Sequence, residues 1–354
     1  MNKKLNQAQR TIQDDFYTQY KDIKNEIDQY VSNNPNIFHN KTILLPCDDP
    51  EHSHFVTYFL DNFDKFGLKK IISSSYAKSL TSNNNKHGKI LIIDSNNKCR
   101  KNWQYLDGDG DFRSAEIQKF CHETDIIVTN PPFSLFHEFL AWIMNNKKQF
   151  IIIGNKNCFT NRNTFNYFKN NQIWHGYTKP NGGMYFETMH DDFDMIIDNK
   201  KMKSVSAIWL TNIEHDKQPS ILSLKTMKEN KAQNPLLTEL YVEYNNFYAI
   251  EVSKTKLIPN DFDGIMGVPI SFLDKCVANP SQFEIIDLDS NIKYTHPELI
   301  KPDWIGRNDL LITINIKNHK QLSTNIHLKK STKKLDKFIT NMISFIRLTE
   351  SAIH

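Results

Sequence analysis

Short runs of isoleucine, leucine and valine alternate with stretches of helical periodicity through the first half of the chain, and this alternation limits the fold more than any other feature. The runs lie at residues 41–46, 70–76, 89–94, 125–129 and 149–154. Such near-continuous apolar runs are typical of strands that are buried on both faces of a sheet. We therefore predict an α/β fold in which helices cover both faces of a parallel sheet.

Helices are predicted between these runs. Apolar residues at every third or fourth position predict a first helix over residues 20–30. Four phenylalanines spaced for one helical face predict a second helix, which starts near His52 and ends at Gly67, a typical C-cap residue. Further helices are expected after Ser114 and over residues 134–146.

The pattern changes beyond Thr178, which predicts a division of the chain. Residues 184–187, 193–198 and 205–213 are typical of antiparallel strands, and the polar stretch 214–220 follows them. We predict a catalytic domain over residues 1–213, with an N-terminal helix region at 1–40, and a mixed α+β region over residues 214–354. A final amphipathic helix is expected from five apolar residues, namely Leu335, Phe338, Ile339, Met342 and Ile346.

Composition excludes several classes of protein. No apolar run approaches the ~18 residues that span a bilayer, and no apolar segment follows the first lysines, so neither a membrane span nor a signal peptide is expected. The five cysteines form no C-x-x-C pair, and the 13 histidines form no H-E-x-x-H motif. We expect a cytoplasmic protein without a metal centre.

Positive charge is concentrated near the C-terminal end. Residues 293–354 carry a net charge of +6, whereas residues 1–292 carry −2. This asymmetry favours a polyanionic partner, although a solvated helix face would have the same composition. The candidate contacts are five lysines, namely Lys329, Lys330, Lys333, Lys334 and Lys337.

The most informative motif is Asn130-Pro131-Pro132-Phe133, which directly follows the apolar run 125–129. Two prolines fix φ, so the carbonyl of Pro131 can point outward beside the Asn130 side chain. The carbonyl oxygen and the side-chain oxygen of Asn130 are then two hydrogen-bond acceptors that face the same way. Two acceptors match the two hydrogens of an exocyclic base amine, and Phe133 offers a face on which an extruded base can stack. The alternative is an ordinary Asn-Pro turn with Phe133 in the core. The motif follows a predicted parallel strand, and ligands of α/β sheets bind at the carboxyl ends of such strands. This position favours the base-binding interpretation.

A strand that ends in NPPF resembles the catalytic motif of class I S-adenosylmethionine-dependent methyltransferases that modify amines. The surrounding sequence, over about residues 14–287, resembles one family in particular, the EcoRI-type adenine-N6 DNA methyltransferases. The matching segments are DDFYTQY, PCDDP, FGLKKIISSSY, GDGDFRS, TDIIVTNPPFSLF, WLTN and GIMGVPISFL. The resemblance implies a Rossmann-like sheet, a C-terminal target-recognition region, double-stranded DNA as partner and a bacterial, phage or mobile-element origin. The resemblance is also compatible with a monomeric enzyme.

The resemblance also implies a set of cofactor contacts. In this sequence they fall on eight residues, namely Tyr17, Thr18, Cys47, Asp48, Asp49, Asp109, Asp111 and Phe112. Tyr17 and Thr18 would begin the first helix and contact the amino acid end of S-adenosylmethionine. Asp111 would accept from the adenine amine of the cofactor, and Phe112 would pack on its ring.

Each of these residues has a simpler interpretation. Thr18 would serve equally as a helix N-cap, and Asp48 and Asp49 as an Asp-Pro turn before the next helix. The acidic stretch 107–111 is no calcium loop, because Phe112 stands where that loop needs glycine and Gln118 where it needs glutamate. An Asp-Gly hairpin turn remains open there.

Two features depart from most methyltransferases. The turn after the first apolar run contains no glycine, although the EcoRI-type family shares its CDDP form, and the run 70–76 lacks the acidic residue that usually binds a ribose.

We predict a site-specific enzyme that methylates the N6 amine of a flipped adenine in duplex DNA. It would act in restriction-modification or as a solitary methylase. The alternatives are an N-methyltransferase acting on RNA or protein glutamine, and a DNA-binding module whose catalytic site has decayed.

Overall fold

The structure is a computed structural model, and it describes residues 16–77, 87–178, 183–188, 191–214, 222–237, 240–245, 248–273, 275, 282–300 and 309–314. The chain divides into two compact units, residues 1–216 and 217–354. The predicted final helix and the five C-terminal lysines lie outside the described residues.

Strands of the first unit form two sheets within the described part of the chain. They are β1 (Phe16–Thr18), β2 (Thr42–Leu45), β3 (Lys70–Ser75), β4 (Lys89–Ile93), β5 (Gln104–Tyr105), β6 (Ile126–Thr129), β7 (Gln149–Asn155), β8 (Trp174–His175), β9 (Met184–Thr188), β10 (Met195–Ile197), β11 (Lys200–Val205) and β12 (Ala207–Thr211). The larger sheet has the order β5-β4-β3-β2-β6-β7-β12-β8, and the smaller one the order β1-β9-β11-β10.

The centre of the larger sheet is parallel, as predicted, but its edges are not. Strands β3, β2, β6 and β7 run parallel to one another. Strand β4 is antiparallel to β3, which corrects the prediction that the run 89–94 continues the parallel set. On the other side β12 pairs antiparallel with β7. Strand β4 needs no crossover after β3, because an antiparallel neighbour can follow through a loop alone.

The described helices of the first unit lie where apolar spacing predicts them, except Arg162–Lys169, which is an additional helix. They are α1 (Tyr20–Asn33), α2 (His54–Asp61), α3 (Phe63–Phe66), α4 (Ala115–Glu123), α5 (Phe136–Asn145) and α6 (Arg162–Lys169). The helix predicted from His52 to Gly67 is divided at Asn62, whose backbone leaves helical geometry at φ −107° and ψ 10°. Gly67 is the predicted C-cap, with φ 61°. A short 3₁₀ helix, Phe133–Leu135, precedes α5.

Tyr17 and Thr18 lie in β1 and not at the start of a helix, which corrects the prediction made for them. Strand β1 pairs antiparallel with β9, with Thr18 opposite Phe186, and Gln19 is the N-cap of α1. The sequence does not reveal this strand, because its partner lies about 170 positions away.

One hydrophobic core joins α1, α2 and the larger sheet. It includes Tyr30, Phe59 and Trp209, all almost fully buried. The smaller sheet joins the same core through Phe186. Both sheets of the first unit are therefore fixed to one scaffold.

The second unit contains a mixed sheet. Its described elements are α7 (Met227–Gln233), β13 (Ile250–Glu251), β14 (Met266–Val268), β15 (Phe283–Leu288), α8 (Ile292–Thr295) and β16 (Leu310–Ile314). The sheet has the order β13-β14-β16-β15, in which only the β13 pairing is parallel.

Candidate functional site

Three predicted motifs meet at one edge of the larger sheet. Asp48 and Asp49 follow β2, and Asn130 follows β6, its parallel neighbour. The acidic turn 107–111 lies against Ser75 at the end of β3. The chain leaves β2 for β3 on one side and later returns to β6 on the other, which makes the β2/β6 boundary a topological switch point. Ligands of open α/β sheets bind outside the carboxyl ends of the strands at such a point.

Asp48 joins the ends of β2 and β6. Its carboxylate accepts hydrogen bonds from Thr129 Oγ1 at 2.6 Å and from Ser53 Oγ at 2.7 Å. Burial raises the pKa of Asp48 to about 6, the two hydroxyl donors act in the opposite direction, and the charge of Asp49 adds to the rise. Thr129 directly precedes Asn130, so this buried carboxylate fixes the base of the NPPF motif.

Arg100 fixes the turn after β2, which contains no glycine. Its guanidinium donates to Pro50 O at 2.5 Å, to Ser53 O at 2.9 Å and to Thr57 Oγ1 at 2.6 Å. The turn and the first residues of α2 are thereby held together. Sequence reasoning missed Arg100, because its acceptors lie 43 to 50 positions away and no local pattern marks it.

Asp49 belongs to an acidic cluster on this turn. The possible ligand atoms of Asp49, Glu51 and His52 lie within 4.8 Å of one another. Lys89 Nζ contacts both carboxylates, at 3.3 Å from Asp49 and closer to Glu51. A lysine therefore already supplies positive charge to the cluster. The expectation of a protein without a metal centre stays a prediction.

The turn around Gly110 is held by close backbone contacts. Gly110 has φ 80°, and a Cβ there would lie 2.3 Å from Ser75 O. Ala77 N donates to Asp109 O at 2.8 Å, and Gly88 N donates to Gly108 O at 2.9 Å. These contacts place Asp109 and Asp111 at the carboxyl end of β3.

Asp111 is a partner of Arg113. Arg113 Nε and Nη2 donate to its two carboxylate oxygens at 2.9 and 2.6 Å. Burial would raise the pKa of Asp111, but the hydrogen bonds from Arg113 hold it below the usual value. Phe112 is buried and packs edge-on against Phe139 and Trp142, with ring centroids 5.0 and 5.6 Å apart. Its predicted contact with the cofactor ring stays a prediction.

Cys47 lies between these motifs and is partly exposed. Burial raises the pKa of its thiol well above the usual value, and the charges of Asp48 and Asp111 add to this effect. The thiol is therefore protonated near neutral pH and offers a neutral contact rather than a nucleophile.

The smaller sheet brings Thr18 to the same edge. His54 Nδ1 lies 2.8 Å from Thr18 O, which ties β1 to the start of α2. Phe186, opposite Thr18 in the sheet, meets Phe133 edge-on with ring centroids 6.2 Å apart. Thr18 Oγ1 is buried and has no hydrogen-bond partner among the described residues. An unsatisfied buried hydroxyl of this kind can donate to the carboxylate of a ligand.

The NPPF motif spans the change from β6 to α5. Asn130 is partly buried, Pro131 is buried, and Pro132 and Phe133 are partly buried. Pro132 has φ −56° and ψ 124°, extended geometry that carries the chain away from the strand before the 3₁₀ turn begins. The predicted roles of all four residues stay predictions.

The fold and site define an α/β protein in which two acidic turns and the NPPF motif lie at the carboxyl end of the central parallel strands. The family described as adenine-specific methyltransferase EcoRI matches residues 4–349. The type II methyltransferase M.EcoRI of Escherichia coli is 37% identical over 310 residues, which cover 80% of this chain and 89% of that protein. The chain therefore belongs to the EcoRI family of adenine-specific methyltransferases.

Two Mycoplasma proteins are also similar. The type II methyltransferase M.MpnI of Mycoplasma pneumoniae is 33% identical over 296 residues, covering 81% of this chain and 86% of that protein. M.MgeORF184P of Mycoplasma genitalium is 33% identical over 297 residues, with the same coverage. No solved structure matches the chain significantly. Every helix in the described ranges is too short or too polar to cross a membrane.

Proposed function

We propose that this chain, an adenine-specific DNA methyltransferase, transfers a methyl group from S-adenosylmethionine to the N6 amine of an adenine flipped out of duplex DNA. One observation carries the proposal: the NPPF motif and the Asp48-Asp49 turn follow neighbouring parallel strands and are joined by the Asp48–Thr129 hydrogen bond of 2.6 Å. The sheet order supports a Rossmann-like class I architecture for residues 1–213. Residues 214–354 would recognise the target sequence.

The residues of the edge fit the proposed cofactor. When bound, S-adenosylmethionine supplies an electrophilic methyl group on a sulfonium. Thr18, with Tyr17 beside it, would hold the amino acid carboxylate, and Asp49 with Cys47 would lie near the ammonium. Asp109, Asp111 and Phe112 would hold the adenine end. The fit rests on the buried Thr18 hydroxyl, which can donate to a ligand carboxylate. The carboxylates of Asp49 and Asp111 already contact Lys89 and Arg113, so a cationic ligand would share them.

The chain's own residues would prepare the acceptor amine. The Asn130 side-chain oxygen and the Pro131 carbonyl would accept its two hydrogens, which concentrates the nitrogen lone pair outside the ring plane. Phe133 would stack the extruded base. Alignment and polarisation, and not a strong base, would account for most of the rate.

The setting follows from the similar proteins. M.EcoRI, M.MpnI and M.MgeORF184P are each named type II methyltransferases, so we propose a restriction-modification role, with cytoplasmic location. Double-stranded DNA is the proposed partner, and a monomer without metal suffices for the proposed chemistry.

Labelled methyl transfer tests the proposal. The purified chain is incubated with labelled S-adenosylmethionine and with equal amounts of duplex DNA, RNA or protein, and modified adenines are then mapped. We expect label in duplex DNA only, as N6-methyladenine at one recurring sequence. Label in RNA or in glutamine would contradict the proposed substrate. Absence of cofactor binding would favour a decayed DNA-binding module.

A further inference from the structure

The Asp111 carboxylate is held on both of its oxygens by one neighbouring residue. Its Oδ1 atom accepts from Arg113 N at 2.8 Å and from Arg113 Nε at 2.9 Å, and its Oδ2 atom accepts from Arg113 Nη2 at 2.6 Å. A carboxylate offers about two acceptor sites on each oxygen. Within the described part of the chain, Oδ1 has therefore filled both of its sites, whereas Oδ2 keeps one for a further donor.

The guanidinium of Arg113 is fixed from two further sides. Its Nη1 atom donates to Glu138 Oε2 at 2.7 Å, and its Cζ atom lies 5.3 Å from the ring centroid of Phe112. Glu138 belongs to the first turn of α5, the helix that follows the NPPF motif. Because these contacts fix the guanidinium, its bidentate pair with Asp111 fixes the orientation of that carboxylate.

Stability does not account for this arrangement. The side chains of Arg113 and Glu138 are 47% and 53% exposed, and ion pairs between exposed side chains stabilise a fold only slightly. Arg113 also adds positive charge beside the site proposed for a cationic cofactor, which by itself would weaken binding. The orientation of Asp111, whose side chain is 21% exposed, is the effect of Arg113 that would favour a ligand.

We propose that Arg113 is a positioning residue for cofactor binding, which orients the Asp111 carboxylate so that Oδ2 receives one hydrogen of the adenine amine of S-adenosylmethionine. The inference rests on the proposed function, which places the adenine end of the cofactor at this turn. It names the acceptor atom and gives a role to a residue outside the predicted cofactor contacts. A carboxylate that is already oriented costs less to order when the ligand binds.

The test compares two ligands that differ in one group. They are S-adenosylhomocysteine and its analogue with hydrogen in place of the adenine amine, and their affinities for the full chain are measured by calorimetry. Neither ligand contains a sulfonium, so the general effect of removing a positive charge is small.

Two variants of Arg113 separate orientation from charge. Arg113→Gln removes the bidentate pair, and Arg113→Lys keeps the charge without the planar fork. Lys70→Gln is the matched control. The ion pair of Lys70 with Glu123, at 3.1 Å, lies at the first residue of β3, away from the acidic turn at the carboxyl end of that strand.

The parent should bind S-adenosylhomocysteine more tightly than the analogue. In Arg113→Gln the affinity for S-adenosylhomocysteine should fall about fivefold, because the carboxylate must then be ordered on binding, whereas the affinity for the analogue should stay within about twofold. Arg113→Lys should show the same selective loss. Lys70→Gln should keep both parent affinities, and the melting temperatures of all variants should stay close to that of the parent.

Equal losses for the two ligands in Arg113→Gln would indicate a structural effect on the whole turn and would overturn the inference. Parent affinities in that variant, full recovery in Arg113→Lys, or a parent that does not distinguish the two ligands would overturn it as well. A parent that binds neither ligand and transfers no methyl group to duplex DNA would instead contradict the proposed function. The two failures are therefore distinguishable.

Discussion

Thr18 is the residue that most directly reports on the cofactor. Its Oγ1 is buried and has no hydrogen-bond partner in the described part of the chain. Replacement by valine keeps the shape and removes only the hydroxyl, so Thr18→Val should leave the melting temperature unchanged or slightly higher. Affinity for S-adenosylmethionine, measured by calorimetry, should fall about tenfold, the value of roughly one hydrogen bond to a charged group.

Thr42→Val is the control for this experiment. Thr42 is also buried, but it is the first residue of β2. It therefore lies at the end of that strand away from Asp48 and the candidate site. This variant should bind the cofactor as the parent does. Equal affinities for Thr18→Val and the parent would exclude Thr18 from the cofactor site.

Asp48 should make stability depend on pH. Its pKa in the folded state, about 6, lies above the usual aspartate value, so the folded state binds the proton more tightly than the unfolded state. The stability from this group is complete below about pH 4 and is lost as the pH rises through about 6. Asp48→Asn does not titrate, so the parent should lose up to roughly 3 kcal/mol relative to the variant across this interval.

Urea denaturation of both proteins between about pH 4 and pH 7 measures this difference. Parallel pH profiles would show that Asp48 is already ionised at low pH in the folded protein. The comparison is a difference between two proteins, so other titrating groups cancel.

The residues at the site differ in how far the sequence could predict them. Asn130 and Asp48 are placed by adjacency, because each follows an apolar run and parallel strands end at one edge of a sheet. Arg100 and Thr129 could not be predicted, since their roles are hydrogen bonds to residues more than 40 positions away. Arg113, which occupies the Asp111 carboxylate, lies two positions from it and could have been found by an inspection of local charge.

The turn around Gly110 is the element whose shape depends most on one residue. Gly110→Ala adds a Cβ at 2.3 Å from Ser75 O in a residue with φ 80°. We expect a loss of at least about 2 kcal/mol in the free energy of unfolding, together with weaker cofactor binding because Asp109 and Asp111 move.

Gly108→Ala is the matched substitution in the same turn. Among the described residues, a Cβ at Gly108 meets only Glu116 Oε2 at 3.2 Å, a flexible side-chain atom. Chemical denaturation and calorimetry should both show a smaller effect for Gly108→Ala. Equal effects would mean that the close approach to Ser75 does not constrain the turn.

Apolar periodicity predicts the elements of the first unit better than their pairing. The starts of α1, α4 and β6 follow from local spacing and caps, such as Ser114, whose side chain accepts from Ile117 N. The direction of β4 does not follow, because an apolar run reads the same in either direction. The sequence predicts a helix start at β1, because three residues are too few to show a period of two.

The second unit contains the more basic part of the sequence, residues 293–354 with a net charge of +6. Replacing Lys329, Lys330, Lys333, Lys334 and Lys337 together by glutamine tests whether that charge contacts DNA. We expect the salt slope of DNA binding to fall by about 0.9 for each lysine that contacts a phosphate, with unchanged cofactor affinity. An unchanged slope would remove these lysines from the interface.

Across the molecule, sequence predicts function more sharply than architecture. The segments around NPPF, CDDP and GDGDF predict the family, and the comparisons confirm it. The mixed sheet β13-β14-β16-β15 of the second unit is not readable in the same way, since its strands are short and pair with partners distant in sequence.

The most direct test of the account is single-turnover methyl transfer to duplex DNA by the parent chain and by Asn130→Ala, at saturating S-adenosylmethionine. If the Asn130 oxygen and the Pro131 carbonyl polarise the adenine amine, the variant should transfer the methyl group at least about 100-fold more slowly, with cofactor affinity nearly unchanged. A variant that retains the parent rate would contradict the account.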